Sequence, residues 1–209
     1  MKSVTGVWTI VVAAGEGRRF GAAKQYAPLA GCRVLDWSLR AARPNSQGVV
    51  LVVPPDAVVD AEPAADVVVG GGASRSASVR AGLAAVPADA EVVVVHDAVR
   101  PMATPALFAS VVEAVRRGAV AAVPAVAVAD TLRRRDGGTV DRTGLVAVQT
   151  PQAFAAAALR AAHRDGHEAT DDAALVEAAG GTVTLVEGEP ANRKITDPGD
   201  LALAERLVD

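Results

Sequence analysis

Valine-rich runs punctuate the chain at Val7 to Val12, Val49 to Val53, Asp66 to Val69, Glu91 to Val95, Val120 to Val123, Leu145 to Val148 and Thr182 to Val186. Each is short, apolar at consecutive positions and rich in a β-branched residue, so each reads as a strand. Strands apolar on both faces require cover on both faces, and the segments between them carry helical signals. Thr104-Pro105 opens a helix over 106–117 that Gly118 ends, with Arg116 and Arg117 at the negative end of its dipole. Near the end, Asp197 is placed as an N-cap, Pro198 as the first helical residue and Asp200 as the third, before Leu201, Leu203 and Leu207. Ala155 to Ala158 reads as Ala-rich helix. The pattern predicts an α/β fold with a Rossmann-like, mostly parallel sheet covered by helices.

One segment breaks the plan. Asp130 to Arg142 has almost nothing to bury, and Asp136-Gly137-Gly138 is a hairpin turn signal, so it predicts a two-stranded ribbon leaving the domain. Such a ribbon is marginal alone in water and should pair, most simply with the same arm of a second copy; the alternative is a mobile surface loop. The expected organisation is one domain over 1–209 with 130–148 as a projecting dimerisation arm.

Composition narrows the chemistry. The 209 residues are 51% apolar but contain only six aromatics, so the core must be built from Val, Ala and Leu. A net charge of −3 is too balanced for binding nucleic acid through a bulk field, and any anionic ligand must be met locally. The single cysteine, Cys32, has no partner for an internal disulfide and stands in no metal-ligand spacing. The longest apolar run, Ala119 to Ala129, is interrupted by Pro124 and is too short to span a bilayer. The apolar stretch after Lys2 superficially resembles a signal peptide, but Glu16-Gly17-Arg18-Arg19 follows at once. The expectation is a cytoplasmic protein with neither a membrane nor a nucleic acid as partner.

The first strand runs into Ala13-Ala14-Gly15-Glu16-Gly17-Arg18-Arg19-Phe20-Gly21, then Lys24-Gln25. A glycine-rich turn after the first strand of an α/β sheet is where a backbone can wrap phosphates. A dinucleotide fingerprint would need glycine where Phe20 stands, which counts against a dinucleotide-dependent oxidoreductase, and a Walker loop would need Gly-Lys-Ser or Gly-Lys-Thr. What remains is a loop with Arg18, Arg19 and Lys24 within seven positions, charge enough for a triphosphate.

Ala-Ala-Gly-x-Gly-x-Arg followed by Lys-Gln resembles the nucleotide loop of sugar-phosphate nucleotidyltransferases. Further segments occur in order: Gly71-Gly72 with Arg75 and Ser78, His96-Asp97-Ala98-Val99-Arg100-Pro101, Asp130-Thr131, Asp141-Arg142, Thr150-Pro151-Gln152, Thr170-Asp171-Asp172 and Asn192-Arg193-Lys194-Ile195-Thr196. Together they resemble the 2-C-methyl-D-erythritol 4-phosphate cytidylyltransferase family over nearly the whole chain. The resemblance implies attack of a sugar phosphate on the α-phosphorus of CTP with magnesium or another divalent cation, release of pyrophosphate, and a homodimer joined through the arm. A related polyol phosphate such as ribitol 5-phosphate is the alternative substrate, and a nucleotide-binding protein without turnover is the non-enzymatic one.

Carried over to this chain, Arg19 and Lys24 resemble the pair that stabilises the transition state at the triphosphate, and Arg142 and Lys194 the pair that positions the sugar phosphate. The resemblance places CTP against Ala13, Ala14, Gly15, Gly17, Gly72, Arg75, Ser78, Asp97 and Ala98, and the sugar phosphate against Asp97, Arg100, Thr131, Arg142, Thr170 and Lys194. Asp97 stands at a strand end and could contact a ribose or sugar hydroxyl or sit near the magnesium. Gly71-Gly72 with Ser78 reads equally as a strand-to-helix turn capped by Ser74, and Thr170-Asp171-Asp172 equally as a helix cap. The chain has three lysines, Lys2, Lys24 and Lys194, against eighteen arginines, so Lys is retained at both motif positions in an Arg-rich composition. His96 reads as a strand-end residue, because a phosphate monoester with a second pKa near 6 needs no general base.

Overall fold

The computed structural model describes residues 4–15, 17, 20–58 and 62–208. In chain order the strands and helices are β1 (Val7–Val12), β2 (Pro28–Leu29), β3 (Cys32–Arg33), α1 (Val34–Ala42), β4 (Gly48–Val53), β5 (Val67–Gly70), α2 (Arg75–Ala85), β6 (Val92–Asp97) and α3 (Pro105–Arg116). There follow β7 (Ala121–Ala127), β8 (Leu132–Arg133), β9 (Thr139–Val140), β10 (Val146–Val148), β11 (Gln152–Ala155), α4 (Ala156–His163), α5 (Asp172–Ala178), β12 (Val183–Glu187) and α6 (Pro198–Val208).

The main sheet runs β10-β7-β11-β6-β1-β4-β5, with β12 added on β7. β1 pairs in parallel with β4 and β6, β4 with β5, and β7 with β12, whereas β11 and β10 are antiparallel to their neighbours. Alternate residues of the central strands feed two separate cores, as the period of a strand requires. Val7, Val11, Val49, Leu51, Val92 and Val94 pack with Leu35 and Leu39 of α1 and Phe108 and Val111 of α3. Ile10, Val50, Val52, Val93 and Val95 face the other way, against Val79 and Leu83 of α2, Leu159 of α4 and Val176 of α5. A third cluster joins Leu29, Val34, Ile195 and Ala204 beneath α6.

Two expectations need correction. Ala155 ends a strand, and the helix starts at Ala156. β11 slots between β6 and β7, where its small Ala153 faces Val94 on one side and Ala122 on the other. The run at Leu145 to Val148 is not buried on both faces: β10 lies at the sheet's end, with Val146 and Val148 45% and 44% exposed.

The segment 130–142 does form a ribbon. β8 and β9 pair only with each other, closed by the turn in which Arg134 N–H donates to Gly138 O. Gly137 and Gly138 adopt φ of +116° and +80°, conformations that side chains disfavour, so the glycines are what permits the reversal.

The register brings the strand ends level where a site can form. Val12 stands opposite both Val52 and Asp97, and Val53 opposite Gly70. The loops leaving β1, β5 and β6 therefore emerge together at the carboxyl edge of the parallel strands, the usual ligand position in such sheets.

Candidate active site

The loop after β1 is set by sterics. Gly17 has φ of +67°, and a Cβ there would stand 1.9 Å from Ala22 O, so no other residue fits this turn. Buried Gln25 donates from Nε2 to Gly15 O at 3.2 Å, tying the loop to the short 3-10 turn Lys24–Tyr26. Lys24 opens that turn, half-buried. Arg19, expected at the triphosphate, lies outside the described residues, as does Arg18.

The loop after β5 presses against the first. A Cβ at Gly71 would come within 2.4 Å of Ala14 Cβ, so the absent side chain allows the two loops to touch. Gly72 N–H donates to Ser78 Oγ at 3.2 Å, and Ser78 in turn donates to Ser74 O at 2.9 Å. Ser74 Oγ accepts Ala77 N–H at 3.0 Å and caps α2. The turn reading thus holds and coexists with a backbone shaped for close approach. Capping puts Arg75 at the first position of α2, directed toward the end of β6.

There Asp97 meets two cations. Its Oδ1 accepts from Arg75 Nε at 3.2 Å and its Oδ2 from Lys194 Nζ at 2.7 Å. Burial alone would raise its pKa, but the Arg75 and Lys194 charges prevail and hold the carboxyl well below its ordinary range. Asp97 is thus a fixed anion that orients two cations. Arg75 extends further, from Nη1 to Asp172 Oδ2 at 2.8 Å; burial opposes its charge, yet Asp97 and Asp172 raise its pKa above the usual value.

Lys194 is held by a brace that begins at Gln149. That side chain donates to Glu189 O at 2.8 Å and accepts Glu189 N–H at 3.1 Å, while Asn192 Nδ2 donates to Thr150 O at 2.9 Å. Arg100 Nη1 donates to Asn192 O at 2.9 Å, and Ile195 N–H to Val99 O at 2.8 Å. Arg100 is therefore present as a brace beneath Lys194, with burial lowering its pKa.

The remaining expected residues divide by exposure. Ala13 gives its N–H to Val52 O, and Ala98 gives its N–H to Val12 O and takes the Ser38 hydroxyl on its carbonyl. With no exposed surface, Ala98 supports the site from beneath. Thr170 is exposed; the cap of α5 is Asp171, whose Oδ1 accepts Ala174 N–H at 3.1 Å. Thr131 and Arg142 lie on the exposed ribbon segment, where Arg142 Nη1 donates to Val128 O. Neither is among the partners of Asp97 or Lys194.

His96 is not placed for proton transfer. Fully buried against Phe108, with ring centroids 4.9 Å apart, it has its pKa pushed down to about 3 by burial. Thr150 Oγ1 accepts Asp97 N–H at 3.0 Å, which leaves its hydroxyl hydrogen for His96 Nδ1 at 3.1 Å. The sequence reading gave no role to Gln149 or His163, and named Asp172 only within the Thr170-Asp171-Asp172 motif. Gln149 carried no signal beyond polarity before a motif, and Asp172 was hidden behind its reading as part of a cap.

Among the described residues no three His, Cys, Asp or Glu side chains converge as metal ligands. Both oxygens of Asp97 already face cations, so the described residues do not compose a protein-borne cation site. The cluster offers three cations, Arg75, Arg100 and Lys194, around the carboxylates of Asp97 and Asp172, an excess of positive charge at one strand edge of an acidic chain.

The family model for IspD, 2-C-methyl-D-erythritol 4-phosphate cytidylyltransferase, matches residues 7–209. A protein of that name from Cereibacter sphaeroides is 46% identical over 217 residues, covering 95% of each chain. The bifunctional enzyme IspD/IspF of Nitratidesulfovibrio vulgaris is 41% identical over 95% of this chain, which spans only 57% of that relative's length. The crystal structure of the cytidylyltransferase from Thermus thermophilus superimposes with a TM-score of 0.84 at 42% identity, over 95% of this chain and 97% of that one. With its glycine loops, its Asp97–Lys194 pair and its sheet order in place, the chain belongs to the 2-C-methyl-D-erythritol 4-phosphate cytidylyltransferase family.

Proposed function

We propose that this chain transfers the cytidylyl group of CTP to 2-C-methyl-D-erythritol 4-phosphate, giving the CDP-linked alcohol and pyrophosphate in isoprenoid biosynthesis. The observation that carries the reading is the Arg75–Asp97–Lys194 cluster at the carboxyl edge of β6, beside two glycine loops, in a chain matched to this family over 7–209. A phosphate oxygen of the sugar phosphate forms the new bond to the α-phosphorus, and the bond from that phosphorus to the bridging oxygen of pyrophosphate breaks. The attacking monoester is largely dianionic at neutral pH, so the protein need supply no base. Its task is positioning and charge neutralisation.

Lys194, 39% exposed at its side chain, presents its ammonium beside Asp97 and is the group to draw the sugar phosphate in. Lys24 and Arg19 serve the triphosphate, and Arg142 the sugar phosphate. Magnesium or another divalent cation accompanying CTP would supply further neutralisation of the triphosphate charge beside Lys24 and Arg19. The uncovered apolar side chains Leu132, Leu145, Val146 and Val148 support a homodimer through the arm. Charged sugar phosphates and nucleotides as substrates favour a cytoplasmic location, and no described helix is long and apolar enough to cross a membrane.

The test is pyrophosphate release with magnesium and each of CTP, ATP, GTP and UTP, against methylerythritol 4-phosphate and ribitol 5-phosphate separately. Turnover confined to CTP with methylerythritol 4-phosphate is expected. Turnover with ribitol 5-phosphate alone overturns the substrate; none with any pair overturns the activity. Lys194→Ala should lower kcat about a hundredfold to a thousandfold, the cost of removing one preorganised contact.

A further inference from the structure

Behind the site runs a line of alternating basic and acidic side chains whose inner end is closed to solvent. His163, Asp172, Arg75, Asp97 and Lys194 are joined end to end by contacts of 2.9, 2.8, 3.2 and 2.7 Å. The outer end is open, with the Lys194 side chain 39% exposed; the inner end is closed, with Asp172 and His163 side chains 0% and 2% exposed. Asp172 thus lies one guanidinium behind Asp97, and His163 lies behind it again.

We infer that Asp172, oriented by His163, is a positioning residue for the cytidylyl transfer: it holds Arg75 in the orientation that shares Asp97 with Lys194. The inference rests on the reaction proposed above.

The geometry gives the reason. Arg75 has a planar fork, and a carboxylate takes such a fork most favourably through two parallel hydrogen bonds. Here it is stretched between two carboxylates instead, giving Nε to Asp97 and Nη1 to Asp172, while Nη2 is buried without a partner. That arrangement uses only one oxygen of Asp97 and leaves the other for Lys194. Asp172 must be ionised and fixed to sustain it. Its Oδ1 takes a hydrogen bond from His163 Nε2 at 2.9 Å, and the ring's Nδ1 is buried without a partner.

Without the Asp172 charge, Arg75 has one carboxylate left, and the favoured pairing is a two-pronged one that occupies both oxygens of Asp97. Lys194 is then displaced from the position from which it meets the sugar phosphate. A shift of about 1 Å in a reacting arrangement is enough to cost roughly a hundredfold in rate.

The lysine count makes this measurable without turnover. The chain has three lysines, Lys2, Lys24 and Lys194, so the acylation rate of Lys194 by acetic anhydride can be followed by peptide mass spectrometry, normalised to Lys2. In Asp172→Asn the Lys194 rate should rise several-fold. His163→Asn, which keeps the Asp172 charge but loosens it, should give a smaller rise, and it serves alone should Asp172→Asn fail to fold. In parallel, kcat for pyrophosphate release should fall about tenfold to a hundredfold in Asp172→Asn, more than any change in KM for CTP. Asp172→Glu, which retains the charge, should recover part of it. Unchanged Lys194 acylation in every folded variant overturns the relay, even where the variants melt earlier. Should the wild type prove inactive on CTP with methylerythritol 4-phosphate, the reaction fails while the labelling still judges the relay.

Discussion

At the scale of single residues, the site is built from buried polar groups whose charge state is fixed by burial or, against burial, by the charges beside them. His96 is the clearest case. The ordinary imidazole pKa is 6.5, and burial brings it to about 3 in the folded protein. Between those values the unfolded chain binds a proton that the folded one refuses, so stability falls as pH falls, by about 1.4 kcal/mol per pH unit from this residue. Asp97 adds to the loss only further down, because its folded pKa lies below the ordinary carboxylate value and its contribution disappears as pH descends through that lower range. Urea unfolding at pH 7, 6, 5 and 4 should therefore show a slope in the wild type that His96→Gln reduces by about 1.4 kcal/mol per pH unit below pH 6.5. Equal slopes in the two proteins would place the acid sensitivity elsewhere. His96 itself was legible as a non-catalyst from the chemistry of the nucleophile, whereas its role beneath Asp97 needed Thr150, 54 positions away in sequence, which no local pattern connects.

At the scale of elements, the valine runs were readable because a strand buried on both faces has few ways to be written, and β1, β4 and β6 lie within two residues of the runs that predicted them. β11 was not readable: four residues, two of them Ala, resemble the helix that follows, and only pairing with β6 and β7 makes them a strand. The packing of α2 on the sheet was equally silent in the sequence. Gly82 lies in that helix, where replacing glycine by alanine ordinarily stabilises by about 1 kcal/mol. Here a Cβ would meet Ile10 Cγ2 at 2.6 Å and Val52 Cγ2 at 2.9 Å, both in the core, so overpacking of about 1–3 kcal/mol should prevail. Gly82→Ala is therefore expected to lower the urea midpoint, and a raised midpoint would show that α2 can move outward freely. Because the same helix carries Arg75 and Ser78, any outward movement should also appear as weaker CTP binding.

At the scale of the whole molecule, the candidate site is divided between what one chain assembles and what it leaves apart. The residues that α/β topology gathers, Arg75, Asp97, Arg100 and Lys194, are in place at the carboxyl edge of the sheet. Their motifs were legible in sequence through the family resemblance, with Asp97 alone also placed by its strand end, while their mutual contacts, spanning up to 97 positions, could not be read. Arg142 and Thr131 are different, since they ride on an exposed ribbon segment whose two strands pair only with each other, beside the uncovered side chains of β10. A ribbon so placed is marginal alone, and exchange with a second copy would cover it and bring Arg142 to the partner's Lys194. Mixing distinguishes this from a site within one chain. Arg142→Ala and Lys194→Ala should each be nearly inactive alone. In a heterodimer of the two, one site would combine the intact Lys194 of the first chain with the intact Arg142 of the second, and the other site would have neither. Random exchange makes half the dimers mixed, each with one of its two sites restored, so activity should return to about a quarter of the wild-type value. Recovery absent after subunit exchange, verified by sedimentation of a size-tagged chain, would mean that each chain completes its own site and that the ribbon folds back rather than across.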